Sequence, residues 1–222
     1  MTNRWKLLLL FFGVNFLLRI STLFHPIGNI DEPQTAQVAW EWMLGNPPYT
    51  TSFGDKPFFY YLFFYLILSV FGKFNLIAVH VGTTIVVALT AWAIHFLAKQ
   101  AWDEKRGLVC ALLFSAVTTM GDFRLIASDG ESLMNFPMVL AMLVFFSAVQ
   151  TRKLSLFFGT GLLIGLASQF RYQGGIQLAV VGSFLLIYEP FFTAPKGERF
   201  QIFRRGVVET ALVTFAFLIP FA

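Results

Sequence analysis

Charge is scarce in this chain: Asp, Glu, Lys and Arg together make up 13% of its 222 residues, about half the share found in an ordinary soluble domain. Cysteine is almost absent. Cys110 alone cannot form an internal disulfide, which excludes a secreted disulfide scaffold, and its place in an apolar run carries no information about redox compartment. Histidine is rare too; His25, His80 and His95 read as interface or packing residues rather than catalysts. What the chain does have is 57% hydrophobic residues, 28 phenylalanines and a mean hydropathy of +0.69. Disordered and collagen-like chains are excluded, and the composition is that of an all-α integral membrane protein. The net charge of +4 does not suggest a nucleic-acid partner. Its meaning lies in where the charges fall between apolar runs.

The first run, residues 7 to 24, follows Arg4 and Lys6 as a signal sequence would, but no small-x-small cleavage site follows it, so it reads as an uncleaved first span. Further runs occupy residues 75 to 98, 107 to 120, 133 to 149, 154 to 168, 176 to 192 and 207 to 222. One more apolar run, residues 57 to 71, would rise only about 22 Å as a helix against a hydrocarbon core of ~30 Å. Lys and Arg in the connections decide whether it crosses. If it does not, eleven lie inside (Arg4, Lys6, Lys99, Lys105, Arg106, Arg152, Lys153, Lys196, Arg199, Arg204, Arg205) against four outside (Lys56, Lys73, Arg124, Arg171). If it does, the count is five inside and ten outside, Arg19 in the first span being left out of both. The positive-inside rule selects the first arrangement: about seven spans, a cytoplasmic N-terminus, and segments 25 to 74, 121 to 132 and 169 to 175 on the non-cytoplasmic side. The inner loops read as topology determinants and lipid-headgroup contacts.

Nearly all the chemically suggestive residues sit in those three segments. The first begins with a turn-rich stretch from His25 to Ile30 and then Asp31-Glu32-Pro33, where proline suits the first turn of a helix expected to run to about Leu44. Trp40 and Trp42 fit a helix lying at the headgroup boundary. A second interfacial helix, rich in Phe and Tyr, follows Asp55-Lys56-Pro57. Asp31 and Glu32 could cap their helix, but one carboxylate suffices for that, and adjacent acids at a membrane face point to function. Lys56 could snorkel to headgroups or hold a lipid phosphate.

In the second segment, Asp129 and Glu131 flank Gly130 and can turn two carboxylates toward one cation or one sugar; the alternative is an N-cap by Ser128, Asp129 or Ser132. In the third, Arg171 stands beside Gly174-Gly175 and breaks the inside bias of the basic residues. Arg19, late in the first span, could snorkel or pair with a charge.

Several of these residues together resemble the GT-C membrane glycosyltransferases, in particular the protein O-mannosyltransferase and lipid A aminoarabinose transferase group. They are Asp31-Glu32-Pro33, then Ala36, Ala39 and Trp40, Gly45 with Pro48-Tyr49, Lys56-Pro57, and Ala127-Ser128-Asp129 with Leu133 and Phe136. The resemblance covers residues 1 to about 175. It implies a GT-C type bundle with interfacial helices in the first outer loop, residues 25–74, and transfer of a sugar from a polyprenyl-phosphate donor at the outer face of the cell membrane. Asp31, with Glu32 beside it, would act at the acceptor, Lys56 and Arg171 at the donor phosphate, and Asp129 after the third span. Asp55 and Glu131 would support the site or hold a divalent cation. Two departures stand out: His80 occupies a place where relatives often carry arginine, and Phe58 replaces a second proline. Relatives are usually longer, so residues 1–222 are expected to be a single catalytic module lacking a C-terminal portion.

The chemistry asks for an acid at the acceptor and cations for the charge growing on the departing phosphate, in an inverting single displacement onto a glycan, lipid or protein acceptor. A lipid or polysaccharide transporter or flippase is the alternative, for which internal repeats and ionisable groups near the midplane are expected; no repeat is evident and the acids gather at one face. A non-catalytic membrane subunit is the third reading.

Overall fold

The computed structural model describes every residue but 1–3, 26, 28, 29, 51–53 and 120–125. The expected turn residues Pro26, Gly28 and Asn29, and Arg124 of the topology count, therefore lie outside the described residues. Helices make up the described fold, and no strand occurs among those residues. They are α1 (Arg4–Leu18), α2 (Asp31–Met43), α3 (Phe58–Phe71), α4 (Leu76–Ala101), α5 (Glu104–Val117), α6 (Gly130–Thr151), α7 (Leu154–Ser168), α8 (Ile176–Ser183) and α9 (Arg199–Leu218). The last turns of α8 widen into a π-helix, Phe184–Thr193. Three helical stretches among the described residues are long and apolar enough to cross a membrane: Leu76–Ala101, Gly130–Thr151 and Tyr172–Thr193. The other expected crossings coincide with α1, α5, α7 and α9, of 15, 14, 15 and 20 residues. Helix α3, with 14 residues, is, like α1, α5 and α7, shorter than the ~20 residues a span needs.

Helix starts follow local chemistry. The Asn75 side chain accepts from the Ala78 amide and opens α4; Asp103 accepts from the Arg106 amide at 2.8 Å and opens α5. Helix α2 begins two residues earlier than Pro33, with Ile30 at the cap position and no side-chain cap there, so Asp31 and Glu32 lie inside the first turn. Pro33 is tolerated at that depth because amides of the first turn have no partner within the helix.

The chain divides into two compact units, residues 1–136 and 137–222. In the first, α4 packs against α1, α3 and α5, and α2 lies along α3. Leu7, Phe11, Ala91 and Ala111 form a core there, crossed by a hydrogen bond from Asn15 Nδ2 to Ser115 Oγ at 3.0 Å. In the second unit Ala141, Phe145, Ala148, Phe157, Ile164, Val181, Leu185 and Val213 form the core. Polarity is arranged as lipid requires: Asn15, His80, Thr83, Thr90 and Ser115 are buried, while Leu9, Leu17, Val70, Val208 and Phe215 are exposed.

Arg152 and Arg205, read above as topology determinants, do more than carry charge. Arg152 follows α6 with a positive φ of 56° and pairs with Glu189 and with Glu209, and Arg205 reaches Glu189 at 3.0 Å. Both acids are buried, and the arginines supply their countercharge.

Helices α7 and α9 approach closely at Gly161, where an added methyl would run into the Val213 carbonyl. Gly161→Ala should therefore lower stability by ~1–3 kcal/mol through overpacking. Gly159→Ala, whose methyl would meet only Val144 Cγ1 at 3.6 Å, should cost nothing. Thermal unfolding of both variants in detergent checks this; equal midpoints would refute the close approach.

Candidate functional site

The first turns of α2, α3 and α4 and the segment before α6 meet in the first unit. Their meeting point is Ser128, fully buried. Its amide donates to Glu32 Oε1 at 2.7 Å, its carbonyl accepts from the Tyr60 hydroxyl at 3.0 Å, and its Oγ lies 2.8 Å from Thr83 Oγ1 and 3.2 Å from His80 Nδ1. Glu32 Oε1 is also 3.4 Å from His80 Nε2. Arg19, 1% exposed, donates to the Ile126 carbonyl. Arg19, just after α1, and residues of α2, α3 and α4 thus hold Ile126 and Ser128 ahead of Asp129.

Asp31 and Glu32 divide at the start of α2. Successive helical residues point about 100° apart, so one carboxylate turns inward and the other outward. Glu32 is 1% exposed; Asp31 is 34% exposed and pairs with Lys56 Nζ at 3.1 Å. Lys56 Nζ is also 3.5 Å from the exposed Asp55. A small pocket lined by Asp31, Gln34, Thr35, Val38, Asp55, Lys56 and Tyr61 opens at this pair.

Two tyrosines fix the main chain of Lys56. The Tyr49 hydroxyl donates to its carbonyl at 2.6 Å, and its amide donates to the Tyr61 hydroxyl at 3.3 Å. The chain crosses Tyr61 so closely at Gly54 that a Cβ there would overlap the phenol. Trp42 stacks on Tyr65 at 4.4 Å between ring centroids, and Lys73 Nζ sits 3.6 Å above the Trp40 ring; together they fasten α2 along α3.

Asp129 precedes α6, and its carbonyl accepts the Ser132 and Leu133 amides. Burial first, and then the Asp129 carboxylate, push the Tyr60 phenol well above its ordinary value. The phenol therefore keeps its proton and remains a donor to Ser128. Glu131 is exposed in the first turn of α6. Arg171 belongs to the second unit, where it leads into the turn Tyr172–Gly175 and its carbonyl accepts the Gly174 amide at 2.9 Å. No group of three or more His, Cys, Asp or Glu side chains suited to a metal occurs among the described residues.

The structure adds Thr83 and Tyr60 to the residues singled out in the sequence, and places beside them His80 and Ser128, read there as a packing residue and a helix-cap candidate. A signal was present for two of them: His80 and Thr83 lie three residues apart on one face of an apolar helix.

A family model described as dolichyl-phosphate-mannose-protein mannosyltransferase matches residues 55–221. The match takes in Asp55, Lys56, Asp129, Glu131 and Arg171, and begins after Asp31 and Glu32. No curated protein and no solved structure matches the chain.

Tyr60→Phe removes the hydroxyl that donates to the Ser128 carbonyl and should destabilise the fold by ~1–3 kcal/mol, the cost of an unsatisfied buried acceptor. Unfolding of the purified variant in detergent measures it; wild-type stability would count against this bond.

Proposed function

The chain belongs to the dolichyl-phosphate-mannose-protein mannosyltransferase family, and on that premise we propose that it moves a sugar from a polyprenyl-phosphate donor to an acceptor hydroxyl at the non-cytoplasmic face. The observation that carries this reading is the Asp31–Lys56 pair at 3.1 Å, open to a pocket and backed by the segment leading into Asp129.

Asp31 is the proposed base. The acceptor oxygen attacks the anomeric carbon from the face opposite the phosphate while its proton passes to Asp31. The bond from that carbon to the phosphate oxygen breaks, and its electrons leave with the polyprenyl phosphate. Configuration inverts in this single displacement. Lys56 is the proposed cation for the leaving phosphate, charge complementarity being the main aid a site can give a departing anion.

Lys56 lies between Asp31 and Asp55, at 3.1 and 3.5 Å. A donor phosphate would compete with Asp31 for the same donors, so arrival of the donor would release the base. Asp129 would face the sugar, with Asp55 and Glu131 in support. The phosphate role of Arg171 rests on the sequence resemblance. In this reading the chain is a single membrane catalytic module with its N-terminus in the cytoplasm, as the distribution of Lys and Arg favours.

Radiolabelled mannose transfer from polyprenyl-phosphate mannose tests the chemistry. Asp31→Asn should lower kcat by about 10²–10⁴-fold while the protein stays folded; undiminished transfer would remove Asp31 from the mechanism. Lys56→Ala should weaken polyprenyl-phosphate binding by about tenfold or more, and unchanged affinity would reject its role. For topology, a cysteine in place of the exposed Lys153, in a Cys110→Ser background, should react with an impermeant maleimide only after the cells are permeabilised. Labelling in intact cells would invert the assigned orientation.

A further inference from the structure

His80 lies in the middle of a polar connection that none of the proposed chemical steps uses. It is fully buried on α4, and each ring nitrogen faces a different segment of the site. Nε2 is 3.4 Å from Glu32 Oε1, at the start of α2, and Nδ1 is 3.2 Å from Ser128 Oγ, one residue before Asp129. A carboxylate beside Nε2 calls for an N–H there. In that tautomer Nδ1 accepts the Ser128 hydroxyl proton, and Ser128 Oγ in turn accepts from Thr83 Oγ1 at 2.8 Å. Thr83 stands one turn beyond His80 on the same helix. The result is a closed chain, Glu32 to His80 to Ser128 to Thr83, in which Glu32 also receives the Ser128 amide directly.

We propose that His80 is a positioning residue for the sugar-transfer site: by bridging Glu32 and Ser128 it fixes the spacing between Asp31 and Asp129, the residues that follow or precede its two partners in the chain. The inference rests on the glycosyl-transfer reading. Its contacts to Glu32 and Ser128 carry its effect to Asp31 and Asp129 through the main chain. Packing alone would ask only for volume at this position, whereas the bridge asks for one donor and one acceptor at opposite edges of one side chain. Glutamine supplies both on a flat amide. Leucine fills the space and supplies neither.

The test compares His80→Gln with His80→Leu in mannose transfer from polyprenyl-phosphate mannose and in hydrogen exchange of the peptide containing Ser128. His80→Leu should lower kcat by about 100-fold, the effect of a misplaced reacting group, with donor KM unchanged. His80→Gln should stay within about threefold of wild type, the difference of one modest hydrogen bond. The Ser128 amide should exchange about tenfold faster in His80→Leu and at the wild-type rate in His80→Gln. Ser128→Ala should lower kcat in wild type and add nothing in the His80→Leu background. If His80→Leu does not fold, Ser128→Ala, which deletes one hydroxyl, is set against His80→Gln on the same readouts.

Wild-type kcat in His80→Leu, a loss confined to donor KM, or a leucine variant no worse than glutamine would overturn the proposal. Unaltered exchange at Ser128 would do the same. A wild-type protein that transfers no mannose would instead defeat the glycosyl-transfer reading, and the exchange comparison would then decide on the bridge alone.

Discussion

A carboxylate placed inside an apolar helix bundle must find donors or give up its charge. Glu32 finds an amide at 2.7 Å and an imidazole nitrogen at 3.4 Å. These donors come from segments far apart in the chain, and the requirement of one buried acid therefore fixes where the start of α2, the first turns of α4 and the approach to α6 sit within the first unit. Removing one partner from such a group commonly costs ~3–5 kcal/mol, several times the worth of a surface pair. The same constraint reaches the pocket. Asp31 is covalently next to Glu32, so whatever holds Glu32 inward also holds Asp31 outward against Lys56.

Two adjacent acids with different surroundings can take different tasks, which identical ones could not. Glu32 is spent on architecture, with its Oε1 engaged by Ser128 and near His80. Asp31 is partly exposed at a pocket and paired with Lys56, the cation proposed for the donor phosphate. In the proposed mechanism Asp31-Glu32 thus divides into a base and its anchor, two parts of one geometry. Ser128 has a parallel relation to Asp129. Its amide, carbonyl and hydroxyl are all engaged, so the next residue inherits a fixed starting point.

The sequence was most legible where the physics is local. Apolar runs marked the helices, and Pro57 stood where α3 opens. It was least legible where a helix face had to be assigned. In water an amphipathic stripe tells core from solvent, but here both sides of most helices are apolar, and the stripe that would have shown which way α4 turns is reduced to His80, Thr83 and Thr84. For the same reason His80 reads in isolation as a packing residue. The π-helical widening after α8 and the acid pairing of Arg152 and Arg205 were equally hidden, since each depends on partners distant in sequence.

That concealment follows from how helices associate in lipid. Apolar side chains gain little from leaving hydrocarbon for a protein interior, so close backbone approach and polar ties must supply the cohesion. The second unit shows both: Gly161 lets α7 meet the Val213 carbonyl of α9, and Arg152 joins Glu189 to Glu209 across the turn after α6. The first unit shows the polar kind in its Asn15–Ser115 bond and in the group around Ser128. A bundle held this way uses its few charged and hydroxylic residues twice, for cohesion and for chemistry. A chain with 13% charged residues has few to spare, and in the first unit the residues that hold the helices together adjoin those proposed to react.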